Sequence, residues 1–122
     1  MVKNELNDLL AKISGSSFFD SLKKLDIDRS LDGRDEYPFD SQWMDNFDRL
    51  EKSHFDTNDL DLINKIRECV FKQSFKVIGS DETSGRITDD FEMIAKDIAL
   101  NQIDKWPVSY LWKSYQSGIF PQ

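Results

Sequence analysis

The spacing of the apolar residues constrains the fold of this chain more than any other feature. In the first segment, Leu6, Leu9 and Ile13 fall with Val2 on one stripe of a helix. Comparable stripes occur in five further segments: 18–25, 41–53, 59–78, 89–102 and 107–117. No window alternates apolar and polar residues with the period of two that is typical of a half-buried strand. The sequence therefore predicts an all-α fold, a compact bundle of five or six helices.

Small, polar and cap-forming residues mark where these helices should end. Ser14-Gly15-Ser16 is predicted to end the first helix and Gly79 to end the helix over 59–78. N-caps are predicted at Asp40 for the third helix, at Thr57 or Asn58 for the fourth, and at Thr88 or Asp89 for the fifth. The polar stretches 26–38 and 79–86 carry no apolar stripe, and both are predicted to be loops.

Length and composition limit the organisation of the chain. Its 122 residues, 39% of them hydrophobic, suffice for one core, so we predict a single helical domain over residues 1–122. Apolar runs are too short for a transmembrane helix, and the charged N-terminal segment has no signal-peptide h-region. A single cysteine rules out an internal disulfide. The expected location is the cytoplasm.

The residues that could carry chemistry form no recognisable catalytic or metal site. Starting at Asp28, the chain approaches an EF-hand loop, but Phe39 stands where the bidentate glutamate is needed, so we expect no bound metal. The single cysteine, Cys69, lies within an apolar helical stripe, and the single histidine, His54, follows a predicted helix end. Asp89 and Asp90 are interpreted as the charged first turn of a helix. We therefore expect neither enzymatic activity nor a cofactor.

The distribution of charge points to a protein partner. The net charge is −7, and residues 26–61 hold 12 acidic residues against 4 basic ones. An acidic chain is poorly suited to nucleic acid or to an anionic membrane surface, because both are bound through lysine and arginine. Opposite net charge speeds the encounter of two proteins. The expected partner is therefore a basic protein.

Within this acidic segment, aromatic residues alternate with carboxylates, a composition in which charge steers a partner and rings anchor it. The predicted partner-binding residues are Asp32, Asp35, Glu36, Tyr37, Asp40, Trp43, Asp45 and Asp48. Tyr37 lies in the predicted loop and is the better candidate for an exposed anchor. Trp43 and Phe47 are four residues apart on one helical face, and this spacing favours the core for both rings, with the acids solvating the outer face.

The C-terminal stretch GRITDDFEMIAKDIALNQIDKWPVSYLWKSYQSGIFP, residues 85–121, adds a resemblance to a known group. It resembles the C-terminal helices of helical immunity proteins from bacterial contact-dependent growth inhibition and related polymorphic toxin systems. The resemblance implies a cytosolic protein that binds a cognate toxin and covers its active site. Many such toxins are nucleases with basic substrate clefts, which an acidic inhibitor can occupy as a phosphate mimic.

Two other functions remain open at the level of the sequence. An adaptor or regulatory subunit could use the same acidic and aromatic surface to bind a partner that is not a toxin. A metal-binding or enzymatic domain is the third possibility, and the metal content of the purified protein would test it.

Overall fold

A computed structural model describes the backbone of residues 2–15 and 17–122, and the side chains of these residues from Glu5 onwards. Its α-helices are α1 (Val2–Ser14), α2 (Ile27–Arg34), α3 (Phe39–Glu51), α4 (Thr57–Ile78), α5 (Asp81–Ala99) and α6 (Lys113–Gln116). A 3₁₀ helix spans Asp20–Lys24, and a π-helical segment, Pro107–Trp112, leads into α6. The described residues contain no strand, and the all-α prediction is confirmed. The predictions for the Val2 side chain and for Ser16 lie outside the described residues.

The core lies between α4, α5 and α1. Helix α4 packs along α5, and α1 packs against both of them. The apolar stripe of α4 is buried through Ile63, Ile66 and Val70, as its spacing predicts. Phe91 of α5 is fully buried and contacts the rings of Phe18, Phe19, Trp112 and Tyr115. This aromatic cluster joins the C-terminal helices to the centre of the bundle.

The prediction of a loop over residues 26–38 is wrong, because most of this stretch is helix α2. Asp26 caps it by accepting a hydrogen bond from the Arg29 amide at 3.2 Å. Its inner stripe is Ile27, Ser30, Leu31 and Arg34. Half of this stripe is polar, so the search for apolar periodicity missed it. Since Asp28 and Asp32 lie on a helix, the stretch does not form the calcium-binding loop that its sequence approaches.

The second predicted loop, residues 79–86, is also mostly helical. Ser80 is the N-cap of α5 and accepts a hydrogen bond from the Thr83 amide at 3.2 Å. Thr83 and Ser84 are fully buried, and their small side chains face the inside of the bundle. The prediction of a cap at Thr88 or Asp89 is therefore wrong. Small polar residues cover the inner face of the first two turns, and a search for large apolar residues does not detect them.

Two other predicted caps are displaced by one or two residues. Helix α3 begins at Phe39 with Pro38 as its N-cap, so Asp40 lies inside the first turn. Asp56, not Thr57 or Asn58, caps α4 by accepting from the Asp59 amide at 2.8 Å. Gly79 ends α4 in the left-handed conformation, with φ of 74°, as predicted. A residue without Cβ adopts this conformation at no steric cost.

Candidate functional site

The eight predicted partner-binding residues lie on α2, on α3 and in the turn that joins them. Seven of the eight are exposed, and Trp43 is half-buried. Tyr37, at 82% exposure, is the most exposed of the large hydrophobic residues. We call this set the acidic surface: Asp32, Asp35, Glu36, Tyr37, Asp40, Trp43, Asp45 and Asp48. Asp35, Asp40 and Trp43 line one groove and Glu36 and Tyr37 line another, whereas Asp32, Asp45 and Asp48 line neither of them.

Residues 26–61 present fewer unpaired bases than the sequence suggests, because two of their four bases pair with buried aspartates, while Arg86 of α5 lies 3.3 Å from Asp35 Oδ1. Arg34 pairs with Asp90 and Arg49 pairs with Asp97, each at 2.7 Å, and both aspartates are fully buried. Arg34 is itself buried, whereas the side chain of Arg49 is 32% exposed. Eleven of the 12 acidic residues in the segment are exposed, and Arg29 and Lys52 are its remaining bases.

The turn of residues 35–38 stands between two grooves, and we call it the ridge. The first groove, of about 350 Å³, is lined by Asp35, Asp40 and Trp43 among others. The second, of about 440 Å³, is lined by Glu36 and Tyr37 among others. Phe39, which is buried just beyond the ridge, borders both grooves. Five of the eight predicted residues thus face a concave surface on one side of the ridge or the other.

Trp43 has both an inward and an outward role. Its ring stacks on Phe47 with the centroids 5.3 Å apart, and its Nε1 donates to Asp90 Oδ1 at 2.8 Å. The same side chain lines the first groove and is half-buried. The ring therefore packs into the core, as its spacing favours, and also stays partly accessible, while its role as an anchor stays a prediction. Its polar atom is held inside while part of the ring is accessible.

Beneath the acidic surface, the carboxylate of Asp90 accepts four hydrogen bonds. Arg34 donates to both carboxylate oxygens, at 2.7 and 2.8 Å. Trp43 Nε1 donates to Oδ1, and the Tyr115 hydroxyl donates to Oδ2 at 2.6 Å. The buried charge is thus matched by an opposite charge and satisfied on both oxygens, as a buried carboxylate requires. This Asp90 network joins α2, α3, α5 and α6.

Arg34 is held between two aromatic rings. Its guanidinium carbon lies 4.6 Å from the centre of the Phe39 ring and 5.0 Å from that of Phe120. Arg34 Nη1 also donates to the carbonyl of Pro121 at 3.2 Å. Guanidinium groups stack well on aromatic faces. The last residues of the chain thereby close over the Asp90 network.

The Asp90 network also shifts the pKa values of two of its members, Tyr115 and Arg34. Burial raises the pKa of the Tyr115 hydroxyl well above its usual value of 10.0, and the nearby charge of Asp90 raises this pKa further. Burial by itself lowers the pKa of Arg34, but the charge and hydrogen bond of Asp90 outweigh it, so the net pKa is raised above the usual value of an arginine. At neutral pH, Tyr115 is therefore a neutral donor and Arg34 is a cation.

A second buried carboxylate lies seven residues further along α5. Asp97 accepts hydrogen bonds from Arg49 on both oxygens, at 2.9 and 2.7 Å, and Arg49 Nη2 also donates to Asn46 Oδ1. The hydrogen bond to Asp97 raises the pKa of Arg49 above its usual value, against the opposing effect of burial. The two short helices that carry the acidic surface are therefore each tied to α5 by a bidentate arginine–aspartate pair.

Comparison with known proteins places this chain in a family. A family model described as Immunity protein PIM1 matches residues 8–122. The chain belongs to this immunity protein family. The match extends well beyond residues 85–121, on which the sequence resemblance rested. Membership supports a toxin-neutralising function, exerted by binding a cognate toxin. No curated protein matches the chain.

Two negative observations on this PIM1-family chain concern metals and membranes. Within residues 2–15 and 17–122, no three histidine, cysteine or carboxylate side chains come together in a way that could hold a metal ion. None of the helices over the same ranges combines the length and the apolar character needed to cross a bilayer.

The reading of Asp90 as part of a helix first turn is wrong. Helix α5 begins at Asp81, which places Asp90 in its middle, fully buried, while Asp89 pairs with Arg67 near the surface. A signal for this was present in the sequence. Asp90 follows the buried Ile87 by three residues, and Asp97 follows the buried Ile94 in the same way. An acid at a core position of a helix indicates a buried basic partner.

The raised pKa of Tyr115 predicts a loss of stability at alkaline pH. Tyr115 ionises near pH 10 in the unfolded chain but only at higher pH when folded. Below about pH 10 the contribution of Tyr115 to the free energy of unfolding is complete. Above this pH the unfolded state binds one proton fewer than the folded state, so the free energy of unfolding falls by about 1.4 kcal/mol per pH unit. Urea unfolding at several pH values between 9 and 11 measures this slope. In Tyr115→Phe, the loss of stability per pH unit above pH 10 should be smaller by about 1.4 kcal/mol. An unchanged pH dependence would contradict a raised pKa of Tyr115.

Proposed function

We propose that this immunity protein acts in the cytoplasm, where its acidic surface binds the basic substrate cleft of a nuclease toxin and covers the active site. The observation that carries the proposal is the arrangement of charge in residues 26–61. Acidic side chains cover the outside of α2 and α3, while Arg34 and Arg49 are turned toward buried aspartates. A surface with this excess of carboxylates complements a cleft built to hold phosphates.

The ridge gives this surface a shape that fits a cleft. Its Tyr37 ring is 82% exposed and lines the second groove beside Glu36, so the ring can enter a concave site while Asp35 faces the first groove. Exposed aromatic residues are the most frequent anchors of protein interfaces. Met44, at 49% exposure, adds an adaptable apolar contact at the edge of the first groove. In this arrangement the carboxylates take the place of substrate phosphates, and the tyrosine fills the cleft.

Neutralising Asp32 of α2 together with the ridge acids Asp35 and Glu36 is expected to weaken toxin binding without unfolding the protein. The test variant is Asp32→Asn with Asp35→Asn and Glu36→Gln, all exposed in the free protein. The partner is the cognate toxin, identified by co-purification with this chain, and the affinity and the association rate are measured by surface plasmon resonance. Loss of three steering charges should reduce affinity by about tenfold or more, with most of the change in the association rate.

The matched control neutralises three exposed acids outside residues 26–61: Asp8→Asn, Glu68→Gln and Asp104→Asn. These lie on α1, on α4 and beyond α5, and the net charge changes by the same amount. Equal losses in the two triple variants would mean that net charge, not this surface, governs binding. Tight binding by the ridge variant would show that the toxin docks elsewhere. Protection of a nucleic-acid substrate from the toxin, measured in parallel, tests whether the toxin is a nuclease and whether its active site is covered.

A further inference from the structure

We infer that Arg34 and Asp90 are positioning residues, which hold the ridge in one fixed arrangement for binding. As an account of binding, this inference rests on the proposed function, although the order of the ridge can be measured without a toxin. Neither residue belongs to the acidic surface, since both side chains are buried. Their effect on a partner would therefore pass through the ridge.

The contacts at the two ends of the ridge carry the inference. Arg34 directly precedes the ridge and Phe39 directly follows it, and the Phe39 ring lies over the Arg34 guanidinium at 4.6 Å. The four exposed residues between them are therefore closed into a loop by two buried residues that touch each other. Asp90 holds Arg34 by two hydrogen bonds and holds Trp43, one turn after Phe39, by a third. One carboxylate on α5 thus anchors both sides of the ridge.

The geometry of these bonds explains why an ion pair suits this task. A bidentate arginine–carboxylate pair fixes orientation as well as distance, whereas apolar contacts tolerate sliding. A ridge that is ordered before binding loses less conformational entropy in the complex. If the ridge is ordered in only a fraction of molecules, the apparent affinity falls by that fraction.

The chain offers a matched control in its second bidentate pair. Arg49 and Asp97 join α3 to α5 in the same way, with similar distances, but near the other end of α3. The test variant is Arg34→Met with Asp90→Asn, which removes both charges, leaves the amide oxygen as an acceptor for Trp43 Nε1 and places the amide NH2 where it can donate to the Tyr115 hydroxyl oxygen. The control variant is Arg49→Met with Asp97→Asn.

Hydrogen exchange reports the order of the ridge directly. The amides of Asp35, Glu36, Asp40 and Gln42 donate to the carbonyls of residues 32, 33, 36 and 38, respectively. In the test variant these four amides should exchange about tenfold faster, while the amides of α4 keep their protection. Toxin affinity should fall in proportion to the fraction of molecules in which the ridge remains ordered, which the protection of these amides measures, and mainly through a slower association rate. In the control variant the four amides should exchange as in the unmodified protein.

The outcomes separate this inference from the proposed function. Unchanged exchange at the ridge in the test variant, or an equal increase in the control variant, would overturn the inference. Faster ridge exchange, with a toxin affinity that does not follow the ordered fraction, would support the positioning role and overturn the proposed docking surface. Should the double variant fail to fold, Arg34→Lys replaces it. Lysine keeps the charge without the two parallel bonds, so it should give a smaller increase in ridge exchange, and no increase would overturn the inference.

Discussion

Replacing Asp90 by alanine is expected to destabilise the protein by about 3–5 kcal/mol, a large fraction of the stability of an ordinary domain. The substitution leaves the buried charge of Arg34 without its counter-ion. It also removes the acceptor of Trp43 Nε1 and of the Tyr115 hydroxyl, both of which bond to this carboxylate. Urea unfolding at pH 7, with circular dichroism at 222 nm as an approximate probe of helix content, measures the loss.

The neighbouring acid provides the control for this prediction. Asp89→Ala removes a partly exposed carboxylate that pairs with Arg67 at 3.1 Å, so its cost should be below about 1 kcal/mol. The double variant Arg34→Met with Asp90→Asn should be more stable than Asp90→Ala, because no buried charge is left unpaired. It also removes Arg34 Nε, a buried donor for which the described residues provide no acceptor. If Asp90→Ala loses no more stability than Asp89→Ala, the Asp90 network does not stabilise the fold in the way expected here.

Replacing Tyr37 by alanine is expected to reduce toxin affinity about thirtyfold, which corresponds to about 2 kcal/mol, with no loss of folding stability. The ring is 82% exposed in the free protein, so the unbound chain loses little packing when it is removed. In the complex, the same ring would be desolvated at the centre of the contact. The measurement is the dissociation rate of the complex, since anchors act mainly on dissociation.

Another exposed apolar residue serves as the control. Ile103 is 60% exposed and lines a separate groove with Glu5, Asp8 and Trp112 among others. Ile103→Ala should leave the affinity unchanged. If Ile103→Ala weakens binding and Tyr37→Ala does not, the toxin contacts the groove beside α1, and the acidic surface is not the docking site.

The helical architecture could be predicted from the sequence because it depends on local periodicity. The stripes of α1, α3 and α4 consist of large apolar residues at helical spacing, and each forms the predicted helix within a few residues at its ends. The two wrong loop predictions, for residues 26–38 and 79–86, have one cause. In α2 and in the first turns of α5, the buried face carries Ser30, Arg34, Thr83 and Ser84, which periodicity of apolar residues does not register.

The excess of acidic residues in the segment 26–61 was likewise apparent from the sequence, because counting charges requires no coordinates. The exposed position of Tyr37 also agrees with the interpretation of the sequence, although the stretch before it is a helix. The intermediate burial of Trp43 could not be predicted. It depends on Asp90, which lies 47 positions away along the chain.

The sequence by itself determined the helix class and the acidic character of residues 26–61, since both follow from residues that are close together in the chain. Only the tertiary structure decided which charges reach the surface. Arg34 and Asp90 are 56 positions apart, and their pairing exists only once α2 packs against α5. Burial of a charge is costly unless an opposite charge accompanies it. Arg34 and Arg49 therefore pair with the buried Asp90 and Asp97, whereas the unpaired carboxylates of α2 and α3 face the solvent.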